Sequence, residues 1–248
     1  MPAFIFDPIM SPPLPRILLS ILQGDKRDFG EDARALVARL DPPLSVIEPP
    51  GPIPQNGMAV IANHYMGPDF KAWWLALAVS ASLNVPVAWV VTREWGYQDV
   101  VRQATVTPVT RMFLRKAAHT YGFFLMPPMP PRPADTAARA SSVRNILRYV
   151  ARSTAPILGV APEGADSPEL ALSTPPPGVG RFLGQLARRG MTFLPVAVYE
   201  EGRTLCIRFG TCFDIDRTAV TDRDQQIADI AMAAVADLLP PSLQGAYA

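Results

Sequence analysis

The sequence is short of several residue types, and each shortage narrows what the chain can be. Only 18% of its 248 residues are charged, against roughly a quarter in ordinary soluble chains. The 23 Lys+Arg and 22 Asp+Glu leave a formal charge of +1. Without a basic excess there is no electrostatic footprint for a phosphate backbone, so no nucleic-acid partner is expected. The chain has two cysteines, Cys206 and Cys212, in one apolar strand-like run. Six residues of extended chain hold them much too far apart to bridge, which fits a reduced, intracellular setting. Two histidines and two cysteines show none of the close ligand spacings of zinc sites, and no metal is expected. A Gly-x-Ser-x-Gly nucleophile elbow is missing as well.

Targeting and spanning segments are also absent from the pattern. The opening MPAFIFDPIMSPPLPR has no basic stretch and is broken by proline before an apolar run develops, so no secretory leader is expected. The stretch Ala72 to Thr92 is about as long as a membrane span, but Asn84 and Pro86 interrupt it. It reads as a buried helix over 72–83, a turn, and a short strand over 87–91.

What the chain does have is apolar surface and proline. It is 49% hydrophobic with a mean hydropathy of +0.14, which excludes disorder. Its 28 prolines, about twice the average usage, are clustered and punctuate a fold. A length of 248 residues favours a single α/β domain. Two short helices over 15–22 and 31–40 come first, then a proline-rich linker over 42–54. Beyond it, short apolar runs alternate with helical ones: strands over 58–62, 87–91, 123–126 and 157–160, and helices over 72–83, 108–119, 136–152 and 180–189. Strands over 192–199 and 205–213 follow, and a last helix over 222–239 sets Ile227, Ile230, Ala234 and Leu238 on one face. This order predicts α/β architecture with a central mixed, mostly parallel sheet flanked by helices, preceded by a short N-terminal helical segment.

In such sheets ligands gather beyond the carboxyl ends of the strands, and two loops there carry chemistry. Asn63-His64-Tyr65-Met66-Gly67-Pro68-Asp69 follows the first core strand. A turn at Gly67-Pro68 lets the chain fold back and bring the Asp69 carboxylate to the His64 imidazole, fixing its tautomer and aiming the other ring nitrogen at a substrate. Pro162-Glu163-Gly164 follows the strand over 157–160. There Gly164 permits close backbone approach, and Glu163 offers an acceptor for hydroxyls or a partner for a cation. His119, near the end of a helix, is read as interacting with free carbonyls.

His-x4-Asp after the first core strand, Pro-Glu-Gly after a later one, and the run Gly178 to Val198 with its Phe-Leu-Pro-Val strand at 193–196 together resemble the glycerolipid acyltransferase family, which includes lysophosphatidate acyltransferase. The resemblance covers about 45–213 and divides the chain into an N-terminal helical segment, 1–44, and an acyltransferase domain, 45–248. It implies that His64 is the general base, oriented by Asp69, for transfer of a fatty acyl group from an acyl thioester, acyl-CoA or acyl carrier protein, to a hydroxyl of a lysolipid-like or other lipid acceptor. No nucleophilic Ser or Cys is required, because a thiolate leaves readily and the acyl group moves in one displacement, and no cofactor is expected beyond the acyl thioester itself as donor substrate. Asn63, Pro162, Glu163, Gly164 and Arg93 are the candidate substrate-binding residues. A cytoplasmic protein held peripherally on the inner face of a membrane is expected, with the apolar helix around 16–19 as anchor.

The sequence also departs from the family. The arginine that glycerol-phosphate-using members carry before the second helix pair is missing from Gly122 to Pro128, and Ala165-Asp166-Ser167 stands where Thr-Arg-Ser is common. Prolines 175–177 replace frequent lysines. These departures point away from a dianionic acceptor unless Arg93, Arg111 or Arg115 compensates. They also define the competing reading, a catalytically inactive acyl- or lipid-binding protein on the same fold.

Overall fold

The computed structural model describes residues 13–64, 71–96, 99–130, 132–164, 171–216 and 224–248. Helices α1 (Pro13–Gln23) and α2 (Phe29–Val37) lead into β1 (Ser45–Glu48) and β2 (Met58–Ala62). Then come α3 (Trp73–Ser82), β3 (Ala88–Thr92), α4 (Val100–Tyr121), β4 (Phe124–Met126), α5 (Thr136–Arg152) and β5 (Ile157–Val160). The order closes with α6 (Val179–Ala187), β6 (Thr192–Glu201), β7 (Thr204–Phe209) and α7 (Asp224–Ala236). The seven strands form one sheet in the order β1-β7-β6-β2-β5-β3-β4, parallel except for the β6–β7 pair.

A strand covered on both faces must be apolar at every position, and β2 is: all five of its residues are buried. Met58, Val60 and Ala62 join the core under α1, α2 and α3, while Ala59 and Ile61 join the core under α5, α6 and α7. The N-terminal helices belong to the first of these layers, with Ile17, Ile21, Ala33 and Leu36 buried in it. They are also locked to α4. The buried Asp32 carboxylate accepts from Arg27 at 2.7 and 2.5 Å and from the Tyr121 hydroxyl at 2.8 Å. The Lys26 ammonium donates to the carbonyl of His119, which sits exposed in the last turn of α4.

The stretch 72–92 folds as expected, as α3, a turn and β3, and among the described residues no helix is long and apolar enough to cross a membrane. Four expectations are corrected. The linker over 42–54 contains β1, an edge strand parallel to β7 whose Val46 and Ile47 stay largely exposed, so no burial alternation marks it. Helix α4 begins at Val100, capped by Asp99 accepting from the Arg102 N–H at 2.8 Å. Pro108 therefore lies inside the helix instead of opening it. The bond it removes, to the carbonyl of Ala104, is on an exposed side where water can substitute. The strand expected over 205–213 ends at Phe209, and the chain returns at Phe213 to pair with Phe193, with both cysteines free thiols. In α7 the buried face is Ile227, Ala228, Ala231, Met232 and Val235, which leaves Ile230 exposed.

Candidate functional site

Because β2 and β5 are parallel neighbours, in register from Met58 opposite Ile157 to Ile61 opposite Val160, their carboxyl ends deliver the two chemistry-bearing loops side by side. Beyond Ala62 the backbone of β2 leaves β6, and the N–H and C=O of Val198 would lose their partners there. The buried Asn63 amide takes both: its Nδ2 donates to the Val198 carbonyl at 2.8 Å and its Oδ1 accepts from the Val198 N–H at 2.8 Å. The chain entering His64 is thereby fixed.

Across from it, Glu163 is only 5% exposed. Its Oε1 accepts from the His64 N–H at 2.7 Å, and its Oε2 accepts from the Ser173 N–H at 2.8 Å and the Ser173 hydroxyl at 3.0 Å. Burial takes both carboxylate oxygens away from water, and these three donors replace the lost hydrogen bonds. Pro162 is buried beside it, and Gly164 has φ of +68°, the left-handed region. The Met129 side chain lies 3.0 Å from the point a Cβ on Gly164 would occupy, so the proline-rich crossover touches the Pro-Glu-Gly turn. The His64 ring is half-buried. Asp69 and Asp166 lie outside the described residues.

Arg93 occupies the next strand end, its N–H donating to the Met126 carbonyl at 2.8 Å across β3 and β4. Its guanidinium belongs to a cluster the sequence reading did not assemble. Arg93 Nη2 meets Asp135 Oδ1 at 2.7 Å, and Arg132 bridges Asp135 Oδ2 at 2.7 Å and Glu94 Oε1 at 3.0 Å. Arg111 reaches Glu94 Oε2 at 2.7 Å, and Arg139 donates to the carbonyls of Pro127 and Pro128 at 3.2 and 3.0 Å. Three guanidinium groups thus hold two buried carboxylates at the ends of β3 and β4, with Arg139 on the carbonyls beside them. Arg115 stays on the exposed side of α4.

Burial alone would raise the Glu94 carboxyl, but hydrogen bonds from Arg132 and Arg111 hold it below its ordinary value. The Arg132 hydrogen bond likewise holds Asp135 low. A carboxyl whose pKa falls on folding stabilises the protein fully above its unfolded value and loses that contribution as pH drops through the folded one. The stability measured by urea unfolding is therefore expected to fall between pH 6 and pH 3, and Glu94→Gln is expected to shrink that difference while lowering stability at pH 6. An unchanged pH 6 to pH 3 difference in Glu94→Gln would contradict this.

Sequence reading found the histidine, glutamate and asparagine but missed Ser173, whose role depends on a return of the chain ten residues after Glu163. It also missed Glu94 and Asp135. The position of Glu94 directly after a core strand was a usable signal; Asp135 and Arg132 had none, because only the packing of α5 against β4 brings them to Arg93.

Neither a family model nor a curated protein matches the sequence. Among solved structures, the chain is similar to the 1-acyl-sn-glycerophosphate (LPA) acyltransferase PlsC from Thermotoga maritima, with 12% identity over 94% of this chain and 84% of that one and a TM-score of 0.50. The likeness is one of fold: the chain has the α/β architecture of that acyltransferase.

Proposed function

We propose that the chain is an O-acyltransferase that moves a fatty acyl group from an acyl thioester to a hydroxyl of a lysolipid-like or other lipid acceptor. The observation that carries the reading is the 2.7 Å hydrogen bond from the His64 N–H to Glu163, which joins the His-x4-Asp loop to the Pro-Glu-Gly loop at the carboxyl ends of adjacent parallel strands. The shared fold supports it.

In this reading His64 takes the proton of the acceptor hydroxyl as its oxygen attacks the thioester carbonyl. The C–S bond then breaks and the imidazolium returns the proton to the departing thiolate, leaving an ester and a free thiol. Asp69 orients the ring. Asn63 and Glu163 hold the loop in place, and the Pro162-Gly164 turn with Met129 against it gives the acyl chain an apolar wall. Arg93, partly exposed and joined to an excess of guanidinium charge, is assigned to an anionic part of the substrates. The test is release of free thiol from palmitoyl-CoA by the purified protein with a panel of lysophospholipids, monoacylglycerol and long-chain alcohols, with mass spectrometry of the lipid products. Transfer to an acceptor supports the reading. Palmitoyl-CoA retained in native mass spectra with no transfer to any acceptor supports the inactive binding protein instead.

The working surface is assigned to the interface of a bilayer, where α1 and α4 lie side by side. Together the two helices contain five cations (Arg16, Arg102, Arg111, Arg115 and Lys116) and no acidic residue. They also expose Leu19, Leu22, Val100, Val101, Val109 and Met112, with Val100 and Val101 at 78% and 72%. Arg102 is paired with Asp99 and Arg111 with Glu94, but Arg16, Arg115 and Lys116 beside these apolar side chains match an anionic lipid surface. Because α1 and α2 contribute to the core, deleting them would disturb the fold, so substitutions are the better probe. The protein is expected to float with phosphatidylglycerol vesicles and Val101→Glu/Val109→Glu to remain behind. Failure of the unaltered protein to float would end the assignment.

A further inference from the structure

The segment after α7 does more than close the domain. Gln244 Nε2 donates to the carbonyls of Ala236 and Leu239 at 3.1 and 3.2 Å, and the Tyr247 hydroxyl donates to Asp229 Oδ1 at 2.9 Å, so residues 244–247 are tied back to α7 at two places. Beside and between these anchors, residues 243–246 pair with the chain at Leu172. The Leu172 N–H donates to the Leu243 carbonyl at 2.9 Å, and the Ala246 N–H donates to the Leu172 carbonyl at 3.0 Å. Gly245 makes the approach possible. Its φ is +52°, and a Cβ there would stand 2.3 Å from the Leu172 carbonyl oxygen and 2.9 Å from its nitrogen. Leu172 is itself buried in the core beneath α5, α6 and α7.

The residue held next is Ser173, and it supplies two of the three donors on Glu163, whose other oxygen holds the His64 N–H. A continuous chain of backbone and carboxylate hydrogen bonds thus runs from α7 through residues 243–247, Leu172, Ser173 and Glu163 to the loop that carries the histidine. Burial and the Asp229 hydrogen bond raise the Tyr247 hydroxyl, so it stays protonated and keeps donating to Asp229.

We propose that residues 243–247 and Ser173 position the candidate site: they hold Leu172–Ser173 against Glu163 and, through Glu163, set the backbone at His64. Ser173 and Gly245 are positioning residues, since each acts through Glu163. A one-ångström displacement of a base from its substrate is costly to rate, because alignment supplies much of the acceleration. The kinetic part of the proposal rests on the acyltransferase reading; the structural part does not.

Amide hydrogen exchange of the intact protein tests the two separately. Ser173→Ala removes one donor from Glu163, Ser173→Thr keeps the hydroxyl, and Gly245→Val forces a side chain into the Leu172 backbone. Ser173→Ala and Gly245→Val are each expected to speed exchange of the His64 amide by about tenfold or more, the loss expected for one hydrogen bond to a charged group. Ser173→Thr is expected to restore it, and the β6–β7 hairpin amides are expected to stay unchanged. With palmitoyl-CoA and an acceptor the panel identifies, both variants are expected to lower kcat more than they raise KM. Unchanged exchange at His64 in both variants overturns the proposal whatever the activity. Faster exchange in a protein that transfers no acyl group leaves the brace standing and removes the acyltransferase reading.

Discussion

Replacing His64 by alanine is expected to lower acyl transfer by about 10²- to 10⁴-fold, the usual worth of a general base, while leaving the unfolding midpoint close to that of the unaltered protein. The reason for the second half is local. The contact that ties this loop to Glu163 comes from the backbone N–H of His64, at 2.7 Å, and alanine retains it. The ring itself is half-buried, so little apolar area is lost. The chain offers its own control, because it has one other histidine. His119 is exposed in the last turn of α4, and the Lys26 ammonium holds its backbone carbonyl. His119→Ala is therefore expected to keep both rate and stability. Thiol release from palmitoyl-CoA, followed for the three proteins in parallel, checks the contrast. Full activity in His64→Ala would remove the general-base role.

The largest effect on stability is expected at Gly180. Helix α6 opens at Gly178–Val179, and its first free N–H groups are taken by a carboxylate from another helix: Asp224 Oδ2 accepts from the Gly178 N–H at 2.6 Å and Oδ1 from the Arg181 N–H at 2.7 Å. That cap requires the start of α7 to lie directly on the first turn of α6. A Cβ on Gly180 would stand 1.7 Å from the Asp224 carbonyl oxygen and 2.6 Å from its carbon. These are backbone atoms and cannot rotate away, so Gly180→Ala forces the two helices apart. The separation opens the layer in which Leu183, Leu186, Ile227 and Ala231 pack. A loss of more than about 3 kcal/mol is expected from overpacking together with the broken cap. Asp224→Ala, which removes only the cap, is expected to cost about 1 kcal/mol. Gly51→Ala, with nothing within 4 Å of the added carbon, is expected to stay within about 0.5 kcal/mol of the unaltered protein. Urea midpoints order the three, and equal midpoints for Gly180→Ala and Gly51→Ala would refute the account.

Elements with a two-sided apolar core were legible because their sequence has no other physical use. The run Met58–Ala62 is a parallel strand since every position must be dry, and 72–92 is a helix and a strand since Asn84 and Pro86 deny it the length of a span. Legibility failed where burial is partial. Strand β1 exposes Val46 and Ile47 at the sheet edge, and the first turns of α4 are exposed all round, so neither leaves a period to read. Pro108 misplaced the start of α4 because proline favours a first turn, and its presence inside an exposed helix is a choice that local sequence does not announce.

The site divides in the same way. That His64 and Glu163 belong together was readable from their positions after core strands, a consequence of how parallel sheets gather loops. What holds them was not. Asn63 completes Val198, 135 residues away; Ser173 turns back to Glu163; and Leu172 is held by residues 243–246. The guanidinium cluster gives the same lesson in charge. By itself the sequence determined the α/β class, the strand order along the chain and the residue types available for proton transfer. Only the tertiary structure decided which groups meet. A polar side chain is fixed by whichever unsatisfied backbone or charge the fold brings within about 3 Å of it, and that partner has no fixed separation along the chain.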